Sequence, residues 1–208
     1  LYKKKYRYPA ERMISHSFFI QNPQEFYEFY FNQMIYPDAI PNKAHKALAK
    51  LEKAGKLKAV VTQNIDGLHQ KAGNQVVYEL HGSVLRNNCT RCRKFFSLED
   101  TINNRDAQGI PRCDNCGSII KPDVVLYEEG LDEGTIYGAI DAIEKADLLI
   151  VGGTSLIVYP AAGLINYFHG KHLVLINRDS TPMDGRADLV IHDTIGQVME
   201  EATAFLED

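Results

Sequence analysis

Apolar residues recur with helical spacing in five segments of the chain. In one of them Asn42 is a helix cap, apolar residues follow at positions i, i+3, i+4 and i+7, and Gly55 marks the end. In another, Asn22 and Pro23 favour a helix start, and a run of aromatic residues follows. The pattern predicts helices over residues 22–34, 42–55, 132–146 and 160–168, and a last helix from about residue 196.

Short apolar runs between these helices predict β-strands. They cover residues 58–61, 76–80, 148–151, 173–176 and 189–191, and residues 124–127 are predicted to be extended. The run 148–151 is expected to be buried. Strands that alternate with helices predict an α/β fold with a parallel, doubly wound sheet. Ligands of such folds bind at the carboxyl ends of the strands, where we expect Gln63, His81, Thr154 and Asn177.

Composition places the chain among ordinary globular proteins. Of the 208 residues, 45% are hydrophobic and 24% are charged, which excludes disordered, collagen-like and coiled-coil classes. The formal net charge of −4 argues against nucleic-acid binding through the whole surface. No apolar run approaches the roughly 20 residues that a transmembrane helix needs, so no membrane partner is predicted.

Four cysteines form two Cys-x-x-Cys pairs, Cys89 with Cys92 and Cys113 with Cys116. Their spacing is typical of a zinc ribbon, and four thiolates leave no open coordination position, so we expect a structural Zn²⁺. Two redox-active pairs or free thiols are the alternative. Reduced thiolates also predict a cytoplasmic location. Because the cysteine segment interrupts the alternation of strands and helices, it is expected to be an inserted module.

Polar residues are dense in the segment Thr62–His69, directly after an apolar strand. Two amides, a carboxylate and a histidine in one turn indicate a ligand loop, although a turn whose side chains cap backbone amides is the alternative. His81 and Gly82 follow the next predicted strand. The run 152–155, Gly-Gly-Thr-Ser, suits a phosphate or a ribose but is a weak signal by itself.

Together these motifs resemble the sirtuins, the NAD-dependent protein-lysine deacylases, over essentially the whole chain, and the compact length resembles a bacterial member. The resemblance implies a Rossmann-like domain with a doubly wound parallel sheet and an inserted small module, part helical and part zinc ribbon. Residues 46–84 and 122–208 would form the NAD-binding domain, and residues 1–45 and 85–121 the small module. The motifs that carry the resemblance are Thr62–His69, His81-Gly82, the four cysteines, Lys121–Val125, Gly153–Leu156, Val158–Ala161 and Ile176-Asn177.

The activity implied by this resemblance is NAD-dependent deacetylation of lysine in proteins or peptides. The acetyl group is transferred to ADP-ribose, with release of nicotinamide and O-acetyl-ADP-ribose, so NAD is a co-substrate and Zn²⁺ is structural. Mono-ADP-ribosyl transfer from the same NAD site is an alternative. A non-catalytic module that binds NAD, or nucleic acid through the zinc ribbon, is a third hypothesis of a different class.

Residue roles also follow from the resemblance. His81 would be the general base for a ribose hydroxyl, and Asn64 would orient the ribose and a water. Val125 and Tyr127, two apart on an extended segment, would line the acyl-lysine tunnel opposite Val158, although both could simply be core residues. The remaining residues expected to contact the cofactor are Gln63, Ile65, Asp66, Gly153, Thr154, Ser155, Asn177, Arg178 and Ile195.

The sequence departs from the family pattern in three places. The family's first strand and glycine-rich loop would precede Leu1, and we expect the parent protein to contain them; an inactive form is the alternative. Glu128 stands where the family usually has glycine, so it would alter loop flexibility or bring charge near the substrate. The predicted helix 22–34 lacks the arginine of desuccinylating members, which predicts a preference for neutral acyl groups, acetyl first.

Overall fold

A computed structural model describes residues 6–206 of the protein. The first five residues of the predicted small module and the last two of the predicted NAD-binding domain lie outside this range. The described residues form these α-helices: α1 Ala10–Met13, α2 His16–Gln21, α3 Pro23–Gln33, α4 Lys43–Lys53, α5 Leu68–Ala72, α6 Leu98–Asn103, α7 Glu133–Glu144 and α8 Ile195–Ala202. The strands are β1 Val60–Thr62, β2 Val77–Glu79, β3 Gly82–Cys89, β4 Phe95–Ser97, β5 Ile120–Val124, β6 Leu148–Gly152, β7 His172–Ile176 and β8 Leu189–Ile191.

The structure confirms most of the predicted elements and corrects two of them. The segment predicted as a helix over 160–168 is a 3₁₀-helix, Ala161–Tyr167. The predicted burial of 148–151 is wrong for one face of β6, because Leu148 is 48% and Ile150 37% exposed. Leu149 and Val151 point the other way and pack against a buried cluster, as the alternation of side chains along a strand requires.

The chain divides into two compact units. Within the described residues, the first comprises residues 6–38, 64–67 and 81–131, and the second comprises residues 39–63, 68–80 and 132–206. The predicted boundaries of the NAD-binding domain and the small module stay a prediction, since a division by contacts does not test where a cofactor binds.

An aromatic core and an antiparallel sheet build the first unit. Pro23 occupies the first turn of α3, where its missing N–H costs nothing, and α3 buries Phe26, Tyr27, Phe29 and Tyr30 almost completely. Each such side chain contributes roughly 1.5–3 kcal/mol by leaving water. The sheet has the strand order β4-β3-β5, and β3 pairs antiparallel with both neighbours.

Parallel strands build the second unit and confirm the α/β prediction. They lie in two sheets, β1-β2 and β6-β7-β8. Helix α4 begins at the predicted cap, where the Asn42 side chain accepts a hydrogen bond from the His45 amide at 3.1 Å. Helices α4 and α8 meet over a cluster of Ala47, Ile176 and Met199.

Glu52 near the end of α4 anchors the chain that enters β2. Its carboxylate accepts hydrogen bonds from the Asn74 side chain at 2.7 Å and from the Gln75 and Val76 amides at 2.9 Å. Partial burial alone would raise the pKa of Glu52, but these three hydrogen bonds outweigh it and hold the pKa below its ordinary value. None of the helices within residues 6–206 has the length and apolar character needed to span a membrane.

Candidate functional site

The four cysteines meet at one point of the first unit. Their Sγ atoms all lie within 4.8 Å of one another. Two close pairs join the two knuckles, Cys89 with Cys116 at 3.4 Å and Cys92 with Cys113 at 3.6 Å. A tetrahedral zinc with Zn–S bonds of about 2.3 Å places its sulfur atoms roughly 3.8 Å apart. The donor set and its spacing therefore fit a closed, structural Zn²⁺ site.

The surroundings of these thiols shift their pKa values in opposite directions. Hydrogen bonds from the backbone and side chain of Ser118 lower the pKa of Cys116 to about 6. Burial raises the pKa of Cys113 to about 11, so this thiol needs the charge of a metal ion to ionise at neutral pH. Lys94 forms an ion pair with Asp114 at 2.7 Å beside the cluster.

His81 ends the chain segment that leads into β3, and the backbone on both of its sides is fixed. Its carbonyl oxygen accepts a hydrogen bond from the Val125 amide at 3.0 Å. Gly82 has a φ of 74°, and a Cβ atom there would lie 1.9 Å from the carbonyl oxygen of Asp123. Only glycine fits this position, which explains why His81-Gly82 occurs as a pair.

The polar loop predicted to bind the ligand contributes residues 64–67 to the first unit. The carbonyl of Ile65 accepts a hydrogen bond from the Val84 amide at 3.0 Å, and Ile65 packs against the aromatic core. Asn64 and Asp66 on either side are exposed. The structure thus brings the loop and His81 to the same end of β3, and it leaves the two polar side chains accessible to a ligand.

Residues 125–129 follow β5 and differ in burial. Leu126 is buried, Val125 is half-buried, and Tyr127 is 47% exposed. The Tyr127 amide donates to the Ile14 carbonyl at 3.1 Å. The alternative that both Val125 and Tyr127 are core residues is therefore wrong for Tyr127.

The carboxyl ends of β6 and β7 in the second unit border a cleft of about 590 Å³. Gly152 is the last residue of β6, and a Cβ there would lie 2.2 Å from Ile195 Cδ1, so glycine lets α8 approach the strand end. The first turn of α8 lacks a side-chain cap, and the Gln197 and Val198 amides donate to the Thr194 carbonyl at 3.1 and 3.2 Å. Twelve residues line the cleft: Asn42, Lys43, Gly153, Ile176, Asn177, Arg178, Asp179, Asp193, Thr194, Ile195, Gly196 and Gln197.

Comparison with known proteins identifies the family. The model of the Sir2 family matches residues 1–160. The chain belongs to the Sir2 family. An NAD-dependent protein deacetylase of Clostridium perfringens is 61% identical over 193 residues, which cover 92% of this chain and 78% of the relative. One of Clostridium acetobutylicum is 59% identical over 202 residues, 96% of this chain and 82% of the relative.

Solved Sir2 structures have the same fold as this Sir2-family chain. A Sir2 complex with a p53 peptide and NAD⁺ has a TM-score of 0.87 at 40% identity, over 97% of this chain and 85% of that one. A Sir2 variant with deacetylated p53 peptide and 3′-O-acetyl ADP ribose has a TM-score of 0.88 at 38% identity, over 96% and 85%. The resemblance to sirtuins inferred from the sequence motifs is confirmed.

The predicted site residues of this Sir2-family chain fall in both units. Asn64, Ile65, Asp66, His81, Val125 and Tyr127 belong to the first unit, whereas Gln63, Gly153, Thr154, Ser155, Val158, Asn177, Arg178 and Ile195 belong to the second. Of the latter, Gly153, Asn177, Arg178 and Ile195 line the cleft, and Thr154 and Ser155 are not among its lining residues. Their roles stay predictions.

Sequence reasoning missed several cleft residues. Asn42 was predicted only as a helix cap, and Lys43 and the residues around Ile195 at the start of α8 were not predicted to bind a ligand. A signal was available for α8, because Thr194 and Gly196 flank the start of a helix that directly follows a strand. The contacts of Glu128 described below were also missed, although its departure from the family pattern was visible.

Proposed function

We propose that this protein is an NAD-dependent protein lysine deacetylase, a transferase that consumes NAD. The acetyl group of an acetyl-lysine side chain passes to ADP-ribose, and nicotinamide and O-acetyl-ADP-ribose are released. The observation that carries the proposal is the identity to the clostridial deacetylases across nearly the whole chain. The site geometry supports it, because His81 and the polar loop 64–67 lie at the same end of β3 and the second unit contains a cleft of about 590 Å³.

His81 is proposed as the general base that accepts a proton from a ribose hydroxyl. An imidazole in its neutral form can accept a proton, which suits that role. The rigid backbone around Gly82 holds the histidine in place, which limits the reorganisation needed during the reaction. Asn64 orients the ribose and a water, and Gln63, Ile65 and Asp66 serve the nicotinamide side.

The cleft of the second unit is proposed to hold the adenosine part of NAD. Asn177 lines this cleft and is proposed to contact a ribose; its amide donates to the Ile191 carbonyl at 3.1 Å and its side chain to the Asp179 carbonyl at 2.9 Å. Arg178 and Ile195 line the same cleft. Gly153, Thr154 and Ser155 complete the proposed phosphate and ribose contacts. NAD supplies the ribose that accepts the acetyl group.

Acetylated lysine in proteins or peptides is the proposed substrate. Val125 and Tyr127 of the first unit and Val158 of the second are proposed to contact it, and the peptide is proposed to bind as an added strand. A neutral acyl group is preferred. Tyr27 and Tyr30 on α3 are almost fully buried, Tyr27 donates to the Ile120 carbonyl at 2.5 Å, and α3 contains no arginine to pair with a dicarboxylic acyl group.

Zinc has a structural part in this function, because four cysteine ligands leave no position for a substrate. Such reduced thiolates need a reducing compartment, and we therefore propose a cytoplasmic location. Nucleic-acid binding through the ribbon is disfavoured, since Arg86 is paired with Asp123 at 2.8 Å and Lys94 with Asp114.

The test is to incubate the intact protein with an acetyl-lysine peptide, with and without NAD, and to identify the products by mass spectrometry. NAD-dependent loss of the acetyl group together with O-acetyl-ADP-ribose is the expected result. ADP-ribose attached to protein without loss of acetyl groups would instead establish ADP-ribosyl transfer. NAD binding without any product would establish a non-catalytic module.

A further inference from the structure

Glu128 adopts a backbone conformation that is unfavourable for its residue type. Its φ is 76°, in the left-handed region that favours glycine. The side chain is exposed, so burial of apolar surface does not offset this strain. A strained residue of this kind persists where other interactions hold it, and such positions concentrate at functional sites.

The compensating interactions join Glu128 to α2. One carboxylate oxygen accepts a hydrogen bond from the Ser17 amide at 2.8 Å, and the other accepts one from Ser17 Oγ at 2.9 Å. These two hydrogen bonds, with the nearby His16, hold the pKa of Glu128 below its ordinary value. The carboxylate is therefore charged at neutral pH, and charge-assisted hydrogen bonds of this kind are the strong ones.

Neighbouring contacts connect the same two segments. The His16 amide donates to the Tyr127 carbonyl at 2.9 Å, and His16 Nδ1 lies 2.8 Å from a carboxylate oxygen of Glu129. The other Glu129 oxygen accepts from the Leu126 amide at 2.9 Å and pairs with Lys121 at 3.2 Å. Residues 127–129 are thereby attached to α2 through side chains as well as backbone.

The opposite end of this segment is attached to the proposed general base, through the hydrogen bond from the Val125 amide to the His81 carbonyl. Residues 125–129 are thus fastened at both ends. Glu128 contributes two of the hydrogen bonds at the α2 end, and a glycine at this position would contribute neither of them.

We propose that Glu128 is a positioning residue that ties residues 125–129 to α2 through Ser17 and so holds Val125 and Tyr127 ready for the acyl-lysine side chain. This inference rests on the proposed function. If residues 125–129 are already ordered, their ordering costs no free energy when the peptide binds, so the hydrogen bonds between Glu128 and Ser17 favour peptide affinity. Glu128 is neither among the residues that line the cleft of the second unit nor among the proposed NAD contacts, so binding of NAD alone is not expected to change.

The test compares steady-state kinetics of the intact protein with three variants. Glu128→Gly removes the carboxylate and accepts the positive φ without strain, so the variant is expected to fold. Glu128→Gln keeps an oxygen for the Ser17 amide and an N–H₂ group for Ser17 Oγ. Glu99→Gln removes one exposed negative charge elsewhere in the first unit and serves as the matched control.

We expect Glu128→Gly to raise the peptide KM about three- to tenfold, with kcat and the KM for NAD changed by less than about twofold. Glu128→Gln and Glu99→Gln should both stay within about twofold of the unsubstituted protein. A merely structural role would lower kcat and disturb both KM values together. An unchanged peptide KM in Glu128→Gly, or no rescue by glutamine, would overturn the proposal.

Failure of the proposed function is recognised separately, because the unsubstituted protein would then show no NAD-dependent loss of acetyl groups. In that case, the attachment of residues 125–129 to α2 by Glu128 is tested by measuring hydrogen exchange at the Tyr127 and His16 amides. Faster exchange in Glu128→Gly than in Glu99→Gln would support the attachment. Equal exchange in the two variants would refute it.

Discussion

Replacing Gly82 by alanine is expected to destabilise the first unit by more than the ordinary free-energy cost of placing alanine at a positive φ. The left-handed conformation costs alanine about 1–2 kcal/mol. The new Cβ would also lie 1.9 Å from the Asp123 carbonyl oxygen and 3.3 Å from Val124 Cα. These are backbone atoms, so no side-chain rotation relieves the clash, and the pairing of Gly82 with Val124 between β3 and β5 must open.

The size of the effect follows from these contacts. Opening the pair loses a backbone hydrogen bond worth about 1 kcal/mol and leaves polar groups of the pair with incomplete partners at about 1–3 kcal/mol. With the conformational cost, the total is about 3–6 kcal/mol. With a urea slope of about 2–3 kcal/mol per molar, the unfolding midpoint should fall by roughly 1.5 M. The chain contains no tryptophan, so unfolding is best followed by far-ultraviolet circular dichroism.

Gly109→Ala is the matched control for this prediction. Gly109 lies in the same unit with a φ of 79°, but a Cβ there would meet nothing within 4 Å. Its alanine variant should lose only the conformational part, about 1–2 kcal/mol. Midpoints that coincide for the two variants would refute the argument that the Asp123 carbonyl makes glycine obligatory at position 82.

Four further predictions concern the proposed chemistry, the metal and the stability of the second unit. His81→Ala should lower the deacetylation rate by at least about 100-fold while NAD binding, measured by calorimetry, stays within about twofold; a comparable loss of NAD affinity would argue against a base. Cys113→Ser should release zinc, detectable by metal analysis, and unfold the ribbon with loss of activity; retained zinc and activity would show that three thiolates suffice. Glu52→Gln should cost about 1 kcal/mol or more at pH 7. Because the pKa of Glu52 is lowered in the folded protein, the stability that the carboxylate contributes is complete above the ordinary pKa of 4.5 and is lost as pH falls through the folded pKa. The urea midpoints of the variant and the unsubstituted protein should therefore converge in acid. A difference between the midpoints that stays constant with pH would contradict this. Acetyl-lysine should exceed succinyl-lysine in kcat/KM, and the reverse order would refute the predicted preference for neutral acyl groups.

The zinc site shows what local sequence can determine. Two Cys-x-x-Cys knuckles bring their own ligands together over a few residues, so the spacing alone was enough to predict a structural site. Helix starts were equally accessible, because Pro23 favours the first turn of α3 and the Asn42 side chain caps an amide three residues further on, whereas Asn22 makes no side-chain cap. The alternation of apolar strands and helices likewise gave the α/β class without knowledge of any long-range contact.

Other features depended on parts of the chain that are distant in sequence. Glu128 meets Ser17 across 111 positions, so no local pattern could reveal that its carboxylate has two donors. The exposure of Leu148 and Ile150 was missed for a similar reason, since an apolar run does not show which of its faces a neighbouring element covers. The cleft beside Asn177 also combines Asn42 with the start of α8.

The sequence by itself therefore determined most of the elements, the metal ligands and the family motifs of this protein, because helix caps, apolar periodicities and Cys-x-x-Cys pairs are each formed by residues a few positions apart. Only the tertiary structure decided why position 82 must be glycine and which groups hold the segment beside the proposed general base. Those features arise where backbone atoms and side chains from separate segments approach within hydrogen-bonding or van der Waals distance. Periodicity along one segment carries no record of such approaches.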